Sequence, residues 1–451
     1  MSRKVTLSLC MIVKNEAAYL ADCLASVAGV VDEIVVVDTG SVDGTVELAK
    51  QWGARVAFFP WRDDFAAARN QSLRLARGEW ILYLDADERL HPEAEPEIRK
   101  VMRDERAAFV SVLIDSKAAA GGAEGHLTRS HRLFRNLPGV RFTGRIHEQV
   151  SPFFLGLGHK EYMSNIRLVH LGYAKTEAEL AEKRRRNRRL LAKQLQEEPN
   201  NAFWHYSLAQ NLMLSQEFET AGKALEQALR LGQLPSDIVA AALNNLAEVY
   251  LRMKQHDKAI ECAHKAIEME PGQTLGHLML YQIYRDLGER TKQIESLEAV
   301  VGLQQGRARI ARSVAVDAWV KLERLHVNLG RLYLEEGRID EARTHFEEAL
   351  VANNTYLPAL RALADCLLSV GDYPRALAVL ERTAQQSPHD PATLDRLGLA
   401  ALKLGDFRKA IFAYRKLEEH DPSNTAVKRR LAALYHKVGE PDKSRAYLRR
   451  V

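Results

Sequence analysis

The sequence has few cysteines and lacks any long apolar run. Its 451 residues contain four cysteines, Cys10, Cys23, Cys262 and Cys366, whose scattered positions match neither a disulfide framework nor a metal-binding spacing. This usage is typical of a reducing compartment, and we therefore predict a cytoplasmic protein. No stretch reaches the roughly 20 apolar residues that a membrane-spanning helix needs.

Other features are also missing from the sequence. Arg3 and Lys4 precede an apolar run, as in a signal peptide, but the run is short and ends in Lys14-Asn15-Glu16 without a small-residue cleavage site. We predict a strand there instead. The formal net charge of +5 is small for 451 residues and gives no reason to expect a nucleic-acid partner. The first strand also lacks the Gly-rich, basic loop with which a nucleotidyltransferase would bind a triphosphate.

One apolar segment, Trp80 to Leu84, runs directly into Asp85-Ala86-Asp87. We predict a buried strand that delivers two carboxylates to its C-terminal end, both on the same side of the chain because strand side chains alternate. Two such carboxylates form a hard oxygen site that suits Mg²⁺ or Mn²⁺. A divalent ion there can bind a diphosphate and stabilise it as a leaving group. An isolated Asp-x-Asp pair is more often a solvated turn, so the assignment depends on its context.

The context is a series of alternating strands and helices. The run Asp32 to Asp38 is β-branched, too short for a helix and followed by a Gly-containing turn, which indicates a buried parallel strand. Thr6 to Val13 forms a similar run before an amphipathic helix. This order predicts an α/β domain whose ligands bind beyond the carboxyl ends of the strands. The residues at that edge are Asn15, Asp38, Asp85 and Asp87.

Four segments, MIVKNE, VVVDTGSVDGT, DFAAARNQSL and ILYLDADE, resemble in order and spacing the family-2 glycosyltransferases of GT-A fold. The resemblance implies a Rossmann-like mixed sheet, a UDP-sugar donor, inversion at the anomeric carbon and hexosyl- or N-acetylhexosaminyltransferase activity. It assigns Asn15 and Asp38 to the donor side, with Asp38 at the nucleoside. It assigns Asp85 and Asp87 to a metal–diphosphate group that contains Mn²⁺ or Mg²⁺.

Two further donor-binding candidates precede the Asp-x-Asp strand. Asp63 lies in an acidic, aromatic segment at the sheet edge and could line the donor pocket; alternatively, Asp64 caps the following helix and Asp63 is merely exposed. Arg69 recurs in the family pattern, and its guanidinium suits a phosphate. The alternative for Arg69 is an exposed helix charge.

An inverting transfer needs a base near the acceptor hydroxyl or thiol. Residues 142–148 match the family pattern F-x-G-x-I-H-E and read as a strand that ends near His147 and Glu148. We predict Glu148 as the base and His147 as a supporting group. A surface strand with a structural ion pair would explain the same residues, because structural networks also contain such carboxylates.

The last strand of the domain ends in His170-Leu171-Gly172-Tyr173. This segment resembles the element that completes the metal–diphosphate site in GT-A enzymes, so the resemblance makes His170 a third metal ligand. An imidazole ligand would favour Mn²⁺ over Mg²⁺. The alternative is a histidine satisfied within the core or at its rim. Earlier, Ala118 to Gly125 reads as either a surface connection or a lid over the donor.

Helical periodicity replaces the strands from about Asn201. Gly337, Gly371, Gly405 and Gly439 recur every 34 residues, which is the tetratricopeptide period. Small residues at such positions let paired helices approach and stack. We predict three parts: a GT-A domain at residues 1–175, a basic linker helix at 176–199 and an all-α tetratricopeptide solenoid at 200–451.

The predicted linker helix contains the basic run 183–189. This run is either a stripe that binds phospholipid, nucleic acid or an acidic acceptor, or the solvated face of an ordinary helix. Nearby Glu177, Glu179 and Glu182 favour the second interpretation. The absence of interleaved aromatic residues argues against nucleic acid.

These features together predict a metal-dependent, inverting glycosyltransferase whose repeat groove holds a protein or peptide acceptor. The layout resembles bacterial S- and O-glycosyltransferases that modify peptides, of the sublancin S-glycosyltransferase type. One alternative is a lipid-linked or polysaccharide acceptor at the inner membrane face, with 183–189 as an electrostatic anchor. Another is a non-catalytic scaffold, and the repeats could also pair two protomers. The donor sugar and the attacking atom stay open.

Overall fold

The structure is a computed structural model that describes residues 6–116, 126–171, 176–305 and 320–450. The chain divides into two compact units. The first extends to Ile283, and the second contains Tyr284–Gln305 and the residues from Val320 onward. The predicted lid at 118–125 and residues Gly172 and Tyr173 lie outside the described residues.

The first unit begins with an α/β domain in which strands and helices alternate, as predicted. Its elements are β1 (Leu7–Val13), α1 (Ala17–Ser26), β2 (Glu33–Asp38), α2 (Thr45–Gln51), β3 (Arg55–Phe58), α3 (Phe65–Leu75), β4 (Trp80–Tyr83), β5 (Glu88–Leu90), α4 (Ala94–Arg103), β6 (Phe109–Ser116), β7 (His126–Arg135), α5 (Ser151–Gly156) and β8 (Tyr162–His170).

The eight strands form one mixed sheet in the order β3-β2-β1-β4-β7-β6-β8-β5. β1 pairs in parallel with β2 and β4, and β2 pairs in parallel with β3. β7 joins β4 in antiparallel orientation, and β5 joins β8 in the same way. The parallel strands β1, β2 and β4 therefore end at one edge, which confirms the predicted α/β fold with a mixed sheet.

The central strands are apolar because both faces of the sheet are covered. Leu9 and Met11 of β1 are fully buried in one core cluster with α1 and α4, whereas Cys10 belongs to a cluster on the other side with Phe109 and Phe134. A parallel strand covered on both faces reads as a continuous apolar run. This double burial fixes where the strands end and so where the polar residues that follow them lie.

Two strand predictions are wrong in detail. β4 ends at Tyr83, and the Asp-x-Asp segment lies in a tight turn in which Glu88 N donates to Asp85 O at 3.0 Å. Strand alternation therefore does not orient the two carboxylates. The residues around His147 do not extend a strand either; they form a loop that is closed by an isolated bridge between Thr143 and Gln149.

All described elements after β8 are helices. They are α6 (Glu177–Glu197), α7 (Ala202–Leu214), α8 (Phe218–Leu231), α9 (Ser236–Arg252), α10 (His256–Met269), α11 (Leu275–Leu287), α12 (Arg290–Gln305), α13 (Leu322–Glu335), α14 (Ile339–Ala352), α15 (Leu357–Ser369), α16 (Tyr373–Gln386), α17 (Pro391–Lys403), α18 (Phe407–His420), α19 (Thr425–Lys437) and α20 (Pro441–Leu448). Within the described ranges, no helix is both long and apolar enough to cross a membrane.

The 34-residue spacing has a physical basis in the second unit. Gly337, Gly371 and Gly405 each adopt a φ between 74° and 77° just after a helix ends, a region that favours glycine. At another position of the repeat, a Cβ on Gly398 would lie 2.7 Å from Tyr414 Cζ, so only glycine lets α17 and α18 approach this closely. The predicted all-α solenoid is confirmed.

Two histidines also face each other in the second unit. His326 Nδ1 lies 3.0 Å from His345 Nδ1, and the His345 ring stacks on Tyr333 with centroids 5.2 Å apart. One ring must donate and the other must accept, so the contact requires a neutral imidazole. Burial lowers the pKa of both histidines. The carboxylates of Glu298 on α12 and Glu348 on α14 oppose this shift without reversing it.

We predict that acid weakens this part of the array. The folded pKa of both histidines lies below the unfolded value of about 6.5, so the unfolded chain binds more protons and stability is lost as the pH falls below that value. His345→Phe keeps a ring against Tyr333 but does not titrate. Its thermal midpoint, followed by helical circular dichroism between pH 7.5 and 5, should fall less than that of the parent. His420→Phe, at an exposed position on α18, is the control and should follow the parent; equal behaviour of the two variants would contradict the prediction.

Candidate active site

The sheet edge is shaped by Asp38 and Asn15. The Asp38 carboxylate is 4% exposed and accepts hydrogen bonds from the backbone of Gly40 at 3.0 Å and of Ser41 at 3.1 Å. Asn15 adopts a left-handed φ of 55°, and its Oδ1 accepts from Val42 N at 2.8 Å. These contacts tie together the loops after β1 and β2. The contact of Asp38 with a nucleoside stays a prediction.

His170 reaches the Asp-x-Asp turn through strand pairing. In the antiparallel register of β5 with β8, His170 lies opposite Glu88, and Leu171 N donates to Asp87 O at 3.0 Å. This places His170 Nε2 3.2 Å from Asp87 Oδ2. The hydrogen bond with Asp87 raises the pKa of His170. Two of the three predicted metal ligands are therefore in direct contact.

Asp85, the third predicted metal ligand, is held by a different partner. Its Oδ1 accepts from Arg69 Nη2 at 2.7 Å, and its side chain is 40% exposed. In the described part of the chain, no three His, Cys, Asp or Glu side chains converge as a ready-made metal site. The roles of Asp85, Asp87 and His170 as metal ligands stay predictions.

Arg69 is the centre of the site. Its side chain is only 6% exposed, and the Nε–Nη2 edge of its guanidinium pairs with two carboxylates, those of Glu148 and Asp85. The guanidinium carbon also lies 4.7 Å from the centre of the Tyr83 ring. Burial alone would lower the pKa of Arg69, but Asp85 and Glu148 outweigh it and raise the pKa above its usual range. The predicted phosphate ligand is therefore engaged with two of the other predicted site residues.

The structure adds Arg132 and Glu88, which sequence reasoning missed. Arg132 Nη2 lies 2.7 Å from Glu88 Oε1 and 3.7 Å from Asp85 Oδ2, and its guanidinium lies 4.5 Å from the centre of the Tyr83 ring. Glu88 is 2% exposed, and its Oε2 accepts from Asp85 N at 2.9 Å. Glu88 had one signal in the sequence, because it is a third acidic residue directly after Asp-x-Asp. Arg132 had no such signal, because it reaches the site only through the pairing of β7 with β4.

The pKa values of Asp85 and Glu88 shift in opposite directions. Burial raises the pKa of Asp85, but the guanidinium groups of Arg69 and Arg132 outweigh it and hold the pKa at about 2. Burial raises the pKa of Glu88, and there Arg132 only partly opposes the effect. Asp85 is therefore ionised at neutral pH and available as a fixed negative charge.

The loop 143–149 brings the two predicted catalytic residues to the same place. The Glu148 side chain is 12% exposed, and its Oε1 accepts from Arg69 Nε. His147 adopts a left-handed φ of 52° at an exposed position. Both residues line the cleft that contains Asp85 and Asp87. Their roles as base and supporting group stay predictions.

Asp63 is a predicted donor-binding residue whose contacts are with the linker helix and not with this group. Its carboxylate pairs with Arg189 and Lys193 of α6, both at 2.7 Å, and accepts from Trp61 Nε1 at 3.1 Å. The hydrogen bond from Lys193 lowers the pKa of Asp63. Asp63 thus fastens α6 to the α/β domain, whereas the neighbouring Asp64 caps α3 by accepting from Ala67 N at 2.8 Å.

Several arginines of the basic run on α6 contact other residues of the same chain. Arg184 pairs with Glu177, Arg188 with Glu217 at 2.5 Å, and the guanidinium of Arg186 lies 5.3 Å from the centre of the Phe65 ring. These contacts agree with an ordinary linker helix rather than a free basic stripe.

A cleft of about 1970 Å³ lies over the group. Its floor contains Asp85, Asp87, Glu148 and His170. It is also lined by α6, and by residues 233–238 of the connection between α8 and α9 and the first turn of α9. The cleft therefore joins the sheet edge to the first helical repeats within the first compact unit.

We predict that Arg69→Met destabilises the α/β domain by about 3 kcal/mol. Removal of one partner from a buried ion pair costs roughly 3–5 kcal/mol, and the lower end applies because Asp85 is 40% exposed. Denaturant unfolding followed by tryptophan fluorescence measures the change. Arg74→Met, an exposed change on the same helix, is the control and should stay within about 0.5 kcal/mol of the parent. Equal losses in the two variants would refute the structural role of Arg69.

The family comparison agrees with this arrangement. The profile of glycosyl transferase family 2 matches residues 8–166. Tetratricopeptide repeat profiles match residues 201–289, 323–397 and 401–451.

Three relatives share parts of the sequence. A TPR repeat-containing protein of Synechococcus elongatus is 35% identical over 294 residues, which are 62% of this chain and 72% of that protein. The SPbeta prophage-derived glycosyltransferase SunS of Bacillus subtilis is 31% identical over 227 residues, 50% of this chain and 53% of SunS. An uncharacterized glycosyltransferase of Rickettsia felis is 41% identical over 95 residues, 21% of this chain and 33% of that protein.

The match thus spans about half the length of SunS and a third of the Rickettsia protein. The matched domain contains Arg69, Asp85, Asp87 and Glu148, and the matched repeats follow it along the chain. The protein has an N-terminal domain of glycosyl transferase family 2 followed by tetratricopeptide repeats, and it is a glycosyltransferase.

Proposed function

We propose that the protein transfers a sugar from a UDP-sugar to a protein or peptide acceptor, with inversion at the anomeric carbon. The observation that carries this proposal is the edge of the Arg69 guanidinium, which holds Asp85 and Glu148 side by side. It brings the residue predicted to contact the donor next to the residue predicted to accept a proton from the acceptor. Such fixed proximity is what a transfer between two bound substrates requires.

The chemistry of Asp87 and His170 fits a divalent ion. A carboxylate oxygen and an imidazole nitrogen 3.2 Å apart are the ligand types that Mn²⁺ accepts, and such ions usually complete their coordination with substrate phosphates and water. Asp87 and His170 would hold the ion together with the diphosphate. When bound, a divalent ion neutralises the charge that develops on the departing UDP.

Glu148 is the proposed base. Its carboxylate accepts the proton of the acceptor hydroxyl or thiol while the acceptor's oxygen or sulfur forms a bond to the anomeric carbon. The bond between that carbon and the UDP oxygen breaks at the same time, and its electron pair leaves with UDP. Arg69 keeps the carboxylate oriented, and the low exposure of Glu148 limits competition from water.

The cleft supports a peptide or protein as the acceptor. Its volume of about 1970 Å³ exceeds the range of roughly 300–1,000 Å³ that is typical of small-ligand pockets. It extends from the sheet edge to Asp237 and Glu270 of the first repeats, so an extended segment could lie along it. The internal pairing of Arg184 and Arg188 leaves less free positive charge for a membrane surface and so favours a peptide over a lipid-linked acceptor.

We expect Glu148→Gln to reduce turnover by about 100-fold or more, because a positioned base contributes roughly 10²–10⁴. Glutamine can still accept from Arg69 Nε, so UDP binding should change little. The assay incubates the protein with a panel of UDP-sugars and Mn²⁺, then measures released UDP and the intact mass of co-purifying polypeptides. Glu95→Gln, an acid on the surface helix α4, should keep parental turnover. Full turnover in Glu148→Gln would exclude Glu148 as the base.

We expect Asp87→Ala to weaken Mn²⁺-dependent binding of UDP at least tenfold. Loss of residues that merely orient a metal ligand costs about 10–100-fold in metal affinity, and loss of a ligand should cost no less. Calorimetric titration of UDP with and without Mn²⁺ gives the comparison, and Asp104→Ala, whose carboxylate pairs with Arg106 outside the cleft, is the control. Equal UDP affinity in Asp87→Ala and the parent would remove Asp87 from the metal site.

A further inference from the structure

The loop 143–149 has a backbone that needs external support. Gly144 adopts a φ of 99° and His147 a φ of 52°, while Thr143 and Gln149 close the loop through two backbone hydrogen bonds of 2.9 Å. A non-glycine residue in the left-handed region is strained and persists only where its surroundings fix it. The surroundings of this loop therefore decide where Glu148 points.

One side of the loop is fixed by α3 of the α/β domain. Phe65 N donates to Arg145 O at 2.9 Å, and the Asn70 side chain makes two hydrogen bonds with the backbone of Phe142, of 2.8 and 3.0 Å. Arg69, from the same helix, binds Glu148. These contacts hold the beginning of the loop and its catalytic end.

The other side of the loop is fixed by the linker helix α6. Arg145 N donates to Gln194 Oε1 at 2.8 Å, and Arg145 Nη2 lies 2.5 Å from Glu197 Oε1. Gln194 is only 3% exposed, and its own amide donates to Glu198 Oε1 at 2.8 Å, which fixes its orientation. A buried amide that accepts from a loop N–H is costly to remove, because that N–H is left unsatisfied.

The first repeat helix, α7, completes the support. Trp204 is 4% exposed, and its Nε1 donates to Glu198 Oε2 at 3.1 Å, so it belongs to the same hydrogen-bonded chain as Gln194. Its ring lies against Gly144, where any Cβ would collide with it, and packs with Ile146 and Leu190 in one apolar cluster. A buried tryptophan supplies the largest apolar contact of any residue.

We infer that Gln194 and Trp204 are positioning residues for Glu148. They act through the backbone of Gly144, Arg145 and Ile146. The inference rests on the proposed role of Glu148, and it assigns part of the catalytic centre to the linker and the first repeat. The glycosyl transferase family 2 match ends at residue 166, so both residues lie beyond the matched catalytic domain.

The test uses the full chain with Gln194→Met and a swap variant that combines Gln194→Glu with Glu198→Gln. Methionine fills a similar volume but offers no acceptor to Arg145 N. The swap variant keeps an acceptor for Arg145 N and a hydrogen bond between positions 194 and 198, because the amide and the carboxylate only change places. In Gln194→Met, amide hydrogen exchange in peptides that cover residues 142–149 should accelerate at least tenfold, with exchange in β1 and β4 unchanged. Turnover of the UDP-sugar should fall by about 10–100-fold at an unchanged KM for the donor, since a misplacement of about 1 Å costs of this order. The swap variant should recover most of both effects.

Two controls make the result decisive. Arg188→Ala removes a contact of the same helix with Glu217 but touches nothing in the loop, so it should leave exchange and turnover unchanged. Trp204→Leu should accelerate exchange at 142–149 as Gln194→Met does, a readout that does not depend on the position of Trp204 at the cleft. Unchanged exchange at 142–149 in Gln194→Met overturns the inference, as does a loss of turnover that the swap variant does not recover. A parent that turns over no UDP-sugar would refute the proposed function alone, because the exchange measurement needs no turnover.

Discussion

A single buried guanidinium, that of Arg69, is the contact on which the candidate centre depends. It connects a helix, the turn after β4 and a loop almost 80 residues further along the chain, through Asp85 and Glu148. Without Arg69, the carboxylates of Asp85 and Glu148 would lie close together in a poorly solvated place and repel each other. If only one of the two carboxylates were present, part of the cost of burying the Arg69 charge would not be offset. The three segments are therefore interdependent, and none of them builds the site alone.

The sequence was informative wherever local pattern decides the structure. Apolar runs that end in polar residues predicted which edge of the sheet contains the site. The family pattern predicted that Asp87 and His170 lie in the same site. The partners of Arg69 could not be predicted from the sequence. The contacts of a charged residue on a helix depend on which strands and loops pack against that helix in the folded protein. Arg132 was missed for the same reason, since β7 enters the sheet beside β4 only in the assembled topology.

The contacts of two segments could not be predicted, for one shared reason. Asp63 is a candidate ligand of the donor because it lies in an acidic, aromatic segment at the sheet edge, and that role stays a prediction; the structure pairs its carboxylate with Arg189 and Lys193 of α6. The segment around His147 was expected to end a strand, yet Gly144 and His147 have left-handed backbones. In both cases α6 or its neighbour α7 contacts the segment, and no local pattern reports contacts with a helix 50 to 130 residues away.

The change from strands to helices after β8 marks a change of secondary structure rather than a physical boundary. The first compact unit continues to Ile283 and thus includes α7 to α10. The close fit of Gly144 against Trp204 has a consequence for the evolution and engineering of this architecture. A chimera that joins this α/β domain to foreign repeats at the apparent junction would lose Trp204, whose ring fills the space beside Gly144. Viable recombination points should therefore lie after the early repeats, so that the catalytic domain is inherited with its own first helices.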